Sequence, residues 1–175
     1  HTFFFDMATN EPLRGETHQG FSDDSSWARG QSWAVYGLAL CYHYTHEEAI
    51  LPLFERVTKY FIDHLPEDYV PYWDLIFSDG SCEPRDTSAA AIAACGILEM
   101  EKYYHNQEFL DIAKKMMSSL SEKYTTVDYL QSNGIIKDGM YSRKHGHKSE
   151  CTSWGDYFYL EALMRMKKSD WKIYW

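Results

Sequence analysis

The sequence has no run of lysines and arginines. Of its 175 residues, 17 are Lys or Arg and 26 are Asp or Glu, which gives a formal net charge of −9. A nucleic-acid binder needs a basic face to displace counterions, so that class is excluded. An anionic ligand would have to be met by a few placed cations rather than by the overall field. Long apolar runs are also missing: no segment approaches the roughly 20 apolar residues of a membrane-spanning helix. Neither nucleic acid nor membrane is expected as a partner. Cysteine is sparse and widely spaced, at Cys41, Cys82, Cys95 and Cys151. Without a CxxC a zinc ribbon is disfavoured, and the spacing does not force disulfides. Cys41 and Cys95 sit in apolar helical stretches and are expected to be small buried hydrophobes. The chain opens "HTFFFDM", with neither an initiator Met nor a basic n-region. An intact gene product or a signal peptide does not begin this way, so a fragment of a cytoplasmic protein is expected.

Aromatic residues, by contrast, are abundant at 17%, with 14 Tyr and 6 Trp. At 45% hydrophobic and 25% charged the chain reads as one soluble domain over 1–175, long enough to bury a core. The aromatic surplus suits carbohydrate recognition or a helical core equally. The stretch "HQGFSDDSSWARGQSWAVY" (18–36) poses the same choice. It gathers two tryptophans, an arginine, two aspartates, a histidine and a glutamine where an apolar helix begins. Sugars are gripped by aromatic faces and polar side chains together; the alternative is a capped helix with core tryptophans.

The pattern predicts an all-α chain of helical hairpins. Residues 1–25 read as loop with at most one short strand or turn. Ser25 or Ser26 is expected to cap a helix from near Trp27, with apolar residues at Trp33, Tyr36, Gly37, Leu40 and Tyr44. Thr45 and Glu48 form a capping-box pattern for a helix over about 46–65, stopped before Pro66. After a long loop (66–85), Asp86 or Thr87 caps the helix "TSAAAIAACGILEMEKYY", and Asn106 starts the next. A polar loop (125–153) precedes the last helix, "GDYFYLEALMRM". Long polar loops thus collect before helix N-termini, as in part of an (α/α) toroid.

Single residues allow two readings. Arg29 and Trp33, four apart, share a helix face. A guanidinium can grip a carboxylate and an indole can stack on a ring, or the arginine can lie over a core tryptophan. Asp23 and Asp24 are expected to act as helix caps rather than as an acid pair. Asp74 is expected to brace a loop and Asp86 to cap a helix. His145 and His147 form an HxH, but zinc needs three or four ligands and only Cys151 is near, so no metal is expected. His43 and His46 are expected against the carbonyls of a helix C-terminus.

Four blocks, "HQGFSDDSSWARGQSWAVYGLAL", "YFIDHLPEDYVPYWDL", "PRDTSAAAIAACGILEM" and "WGDYFYLEALMR", resemble the unsaturated glucuronyl hydrolases, glycoside hydrolase family 88. The resemblance runs from His1 to the tail. It implies an (α/α)6 barrel of roughly twice this length, of which this chain is the C-terminal half. It also implies an enzyme that needs no cofactor and acts on unsaturated disaccharides left by polysaccharide lyases. An acid protonates the C4=C5 double bond of the unsaturated uronic acid, water adds at C5, and the hemiketal collapses to release the second sugar. The family's catalytic aspartates match positions before His1, so no catalytic residue is assigned here. The resemblance places His1, Gly15, Thr17, His18, Gln19, Arg29 and Trp33 on the uronate. It places Ser142, His145 and His147 where relatives that process sulfated disaccharides hold sulfate. Arg143, Lys144 and Lys148 keep that loop basic. Related unsaturated rhamnogalacturonyl hydrolases carry a similar WARG motif, and a non-catalytic sugar-binding half-toroid is the reading from another class. A half-barrel would expose apolar faces and pair with itself or with its N-terminal half.

Overall fold

The alanine-rich segment Thr87–Met100 (α3) is the axis of the fold. Every residue from Thr87 to Ile97 is buried, which small side chains allow because neighbouring helices can close in on all sides. The structure, a computed structural model, describes residues 2–168 and 170–173. In it α1 (Ala28–Thr45) and α5 (Ser153–Lys167) flank α3. Two further helices, α2 (Ile50–Asp63) and α4 (Gln107–Lys123), back α1 and α3 respectively. At the α1–α3 crossing, a Cβ on Gly96 would stand 2.7 Å from the Tyr36 Cα, so only glycine allows this approach.

The arrangement has an inner row, α1, α3 and α5, and an outer row, α2 and α4. The outer helices are amphipathic: α2 buries Phe54, Thr58 and Phe61, while α4 buries Phe109, Ala113, Met116, Met117 and Leu120. Short connections (46–49 and 101–106) join inner to outer helices. Long ones (64–86 and 124–152) return to the next inner helix. Successive inner helices therefore run parallel, and their N-termini meet at one end with the long loops. Among the described residues no helix is long and apolar enough to cross a membrane.

Several local expectations need correction. The N-terminal segment is a β-hairpin, β1 (Thr2–Phe5) against β2 (Pro12–Glu16), with a bulge between Phe4 and Phe5. Its turn is closed by the Asp6 carboxylate, which accepts from the Ala8 and Thr9 amides, and by Asn10 at φ 60°. Trp27, not Ser25 or Ser26, occupies the N-cap of α1, with no side-chain cap. The Thr45–Glu48 box does not form: Thr45 ends α1 with its hydroxyl on the Cys41 carbonyl, and His46 turns the chain at φ 52°. The second helix starts later, at Ile50, with Pro52 in its first turn. Asp86 sits at the N-cap of α3 without capping it, because its carboxylate is turned to other partners. Asn106 does cap α4, accepting from the Phe109 amide at 3.1 Å. Cys95 is buried as expected, but Cys41 is exposed. His43 binds the Glu99 carboxylate at 2.8 Å and the Tyr103 hydroxyl at 2.7 Å rather than helix carbonyls.

A second polar feature lies inside the helices. Glu161 of α5 accepts from the Tyr36 hydroxyl at 3.0 Å and from Arg165 Nε at 2.9 Å. Arg165 also binds Glu99 of α3, which in addition accepts from Lys102 at 2.8 Å. The pair of buried carboxylates around one guanidinium ties the three inner helices together.

Candidate sugar-binding site

The loop before α1 is held from below by Asp74, which is fully buried. Its Oδ2 accepts from the Phe21 amide and the Ser25 hydroxyl, each at 2.8 Å, and its Oδ1 accepts from the Ile76 amide at 3.1 Å. Asp74 thus braces two loops, as its position in "PYWDL" suggests. Asp23 is a brace as well, not a helix cap: it accepts from the Thr17 amide at 2.7 Å, five residues before α1 begins at Ala28.

Arg29, in the first turn of α1, reaches across to two other inner helices and their loops. Its Nη1 donates to Asp86 at 3.0 Å, to the Met140 carbonyl at 2.8 Å and to Ser88 Oγ at 3.3 Å. Its Nη2 donates to the Tyr141 carbonyl at 2.6 Å. The guanidinium lies over the Trp27 and Trp154 rings, at 4.8 and 5.1 Å. The Ser88 hydroxyl donates to Asp86 at 2.5 Å and accepts from the Trp154 indole at 3.2 Å. Burial pushes the Asp86 carboxyl above its ordinary range, against the opposing pull of Arg29 and Ser88. Arg29 is only 3% exposed. Most of the guanidinium is committed to Asp86 and to the 140–141 backbone.

Trp27, whose ring the guanidinium covers, lines a cavity of about 310 Å³ together with Thr2, Thr17, His18, Gln19, Gly20, Ser26, Gly30 and Gln31. Among the described residues no acidic side chain lines it, although the chain carries a net charge of −9. His18 faces the 142–148 loop, its ring centroid 5.7 Å from that of His145. Ser142 is buried and bonds His145 Nδ1 at 2.6 Å. Lys144 donates to the Thr17 carbonyl at 3.3 Å, which fastens the two loops together. His147 stands edge-on to Tyr141 at 4.8 Å, and Tyr141 packs on Trp154 at 5.7 Å.

The structure thus brings Thr17, His18 and Gln19 against Ser142 and His145, while His147 packs on Tyr141, whose carbonyl Arg29 holds. Thr17 is buried and serves the loop, its Oγ1 accepting from the Gly20 amide at 2.9 Å. Gly15 stands apart in β2, in a neighbouring shallow pocket with Phe3, Asp23 and Asp24; the Phe3 ring, not a ligand, lies 3.2 Å from where its Cβ would be. Trp33 is 38% exposed one turn along α1, edge-on to Phe158 at 5.2 Å. His1 lies outside the described residues. Sequence reasoning missed Asp86 and Ser88 as partners of Arg29, and Trp27, Tyr141 and Trp154 as aromatic faces. The tryptophans opening "WARG" and "WGDY" were the available signal. Among the described residues no cluster of three His, Cys, Asp or Glu could hold a metal ion.

Parallel inner helices backed by outer ones, with the long loops and this cavity at the inner N-termini, define part of a helical toroid. The chain belongs to glycosyl hydrolase family 88, whose family model matches residues 1–169. It is 49% identical over 181 residues to the unsaturated chondroitin disaccharide hydrolase of Streptococcus pneumoniae, covering 100% of this chain and 46% of that protein. The crystal structure of the unsaturated glucuronyl hydrolase of Streptococcus agalactiae superposes with a TM-score of 0.92 at 48% identity, covering 100% of this chain and 45% of that one. A mutant of the same enzyme complexed with dGlcA-GalNAc6S matches with a TM-score of 0.88 at 48% identity, covering 100% of this chain and 48% of that one. The chain spans about half the length of these relatives, and its hairpins are part of an (α/α)6 barrel.

Proposed function

We propose that this chain is the substrate-binding, C-terminal half of a cytoplasmic unsaturated glucuronyl hydrolase. Its substrates are unsaturated uronyl disaccharides left by lyases on glycosaminoglycans. The observation that carries this reading is the acid-free cavity beside His18, Gln19 and Trp27 in a chain of net charge −9. Such a pocket admits a uronate that the rest of the surface repels. Trp27 and the exposed face of Trp33 offer flat partners for the unsaturated ring, and His18 and Gln19 offer hydrogen bonds. Arg29, paired with Asp86, holds the Met140–Tyr141 backbone in place beside Trp27. The relative captured with dGlcA-GalNAc6S supports an unsaturated uronyl disaccharide as ligand.

The chemistry this implies is protonation at C4 of the C4=C5 bond and addition of water at C5, which need a positioned acid. Asp74 and Asp86 are buried and engaged, and no carboxylate lines the cavity. The proton donor is then supplied by the other half of the barrel. That half covers the apolar side chains left exposed on the inner row, Trp33 on α1 and Leu160, Leu163 and Met166 on α5. The purified 175-residue chain should leave the ultraviolet absorbance of the C=C bond unchanged over hours. Sustained loss of that absorbance would overturn the binding-half reading and make Asp23 or Asp24, beside the hairpin, the acid.

A further inference from the structure

A second cavity, of about 300 Å³, lies at the opposite end of the inner helices from His18 and Trp27, where α3 and α5 end and α4 begins. Its volume is at the lower end of ligand pockets, which run from about 300 to 1,000 Å³. The walls are apolar: Leu98 comes from α3, Leu110 from α4, Met166 from α5 and Trp171 from the segment after α5. That segment is fastened in place. The Trp171 carbonyl accepts from Lys102 at 3.1 Å, and the Arg165 guanidinium lies over the Trp171 ring at 4.4 Å.

The charged groups on this cavity are mostly cations, in a chain of net charge −9. Arg165 is buried and held from the interior by Glu99 and Glu161. Its Nη2 stands 2.8 Å from Glu161 but makes no well-aligned hydrogen bond, so this donor has capacity to spare. Lys114 on α4 and Lys168 at the end of α5 are exposed at the rim, and among the described residues neither forms an ion pair. A lysine at a helix C-terminus serves the exposed carbonyls, which accounts for Lys168. Lys114 stands midway along α4 and has no such task. Among the described residues Glu101 is the one carboxylate on the lining, and His105 and the Asn106 amide already engage it.

We propose that this cavity binds a small aromatic carboxylate. The ring lies among Leu98, Leu110 and Met166 beside Trp171, and the carboxylate meets Lys114 and Lys168 at the rim. Burying a flat apolar ring supplies the driving force, and the lysines select an anion that the rest of the surface repels. A uronate does not suit these walls, because its hydroxyls would lose water without gaining partners. The site is therefore independent of the uronate reading above.

The test is nuclear magnetic resonance of the tryptophan indole N–H signals as naphthoate is titrated into the 175-residue chain. Naphthylmethanol, a neutral molecule with the same rings, and acetate, an anion without them, are the comparators at equal ionic strength. Naphthoate should shift Trp171 saturably and leave Trp27 and Trp154 unmoved. Naphthylmethanol should bind roughly tenfold more weakly, the worth of two exposed charge contacts, and acetate should shift nothing. Lys114→Gln with Lys168→Gln changes two exposed side chains outside the Glu99–Arg165–Glu161 cluster, so the fold is retained. The double variant should bring naphthoate down to the affinity of the alcohol. Met166→Glu, which sets a carboxylate on the apolar wall, should abolish naphthoate binding. A Trp171 signal that stays still at millimolar naphthoate, or equal affinities for naphthoate and the alcohol, overturns the site. Equal shifts at all the indoles overturn it too, since they report adventitious contact with apolar surface. An unsaturated uronyl disaccharide acts on the indoles at the other end, so either site can fail without the other.

Discussion

Arg29→Ala loses about 3–5 kcal/mol of stability, the cost of leaving one partner of a buried ion pair without the other. Asp86 is fully buried, and its ordinary compensation is the guanidinium at 3.0 Å. The same substitution leaves the Met140 and Tyr141 carbonyls without their donor, so the 139–145 loop comes loose from α1 and α3. Arg29→Lys keeps the charge, yet one ammonium cannot reach four acceptors spread over two segments. It should recover only part of the loss. Asp86→Asn retains an acceptor for Arg29 and should cost less, about 1–3 kcal/mol. Denaturant midpoints of the single and double variants give the coupling, which should exceed about 1 kcal/mol for residues in one network. Additive losses would mean the two side chains act independently. For binding, Arg29→Lys should weaken uronate affinity even where the protein is fully folded; unchanged affinity would restrict Arg29 to packing.

Removing Arg165 should be comparably severe. Arg165→Ala leaves Glu99 and Glu161 in the interior without their shared guanidinium, with Lys102 and His43 on Glu99 and the neutral Tyr36 hydroxyl on Glu161. About 3–5 kcal/mol is expected, since a buried charge loses its partner. The cluster also has a pH signature. Burial pushes the Glu99 carboxyl up, but the bonds from Lys102 and Arg165 outweigh it and hold Glu99 below its ordinary range. A carboxyl depressed on folding contributes stability that is complete above the unfolded value, about 4.3, and is lost as pH falls through the folded value. Melting temperature should therefore fall on acidification below about pH 4.5, and Glu99→Gln should flatten that fall while lowering stability at neutral pH. An equally steep acid limb in Glu99→Gln would move the origin to other carboxylates.

The helices were readable because their apolar residues recur at helical spacing and their ends carry proline or asparagine; α4 with its Asn106 cap is the clearest case. Helix starts failed where a tertiary contact outweighed the local cap. Asp86 stands where a cap belongs, but Arg29, 57 residues earlier, claims its carboxylate. The hairpin was missed because three phenylalanines in a row show no alternation, although the Asp6 turn was available. The site's outline was legible through the four blocks and their loops, which meet as expected at the N-termini of α1, α3 and α5. Its depth was not. Nothing in "WARG" says that the arginine points inward; the packing of Trp27 and Trp154 around it shows that it does.

The central claim is that an unsaturated uronate binds where the loops before α1 and α5 meet. Nuclear magnetic resonance of the tryptophan indole N–H signals tests it most directly, with an unsaturated uronyl disaccharide titrated into the 175-residue chain. Trp27, Trp33 and Trp154 lie at or near the N-termini of α1 and α5, whereas Trp171 stacks on Arg165 toward the other end of α5. Saturable shifts at Trp27 and Trp154, with Trp171 unmoved, are the predicted result. Shifts confined to Trp171, or none at millimolar sugar from a folded chain, would contradict it.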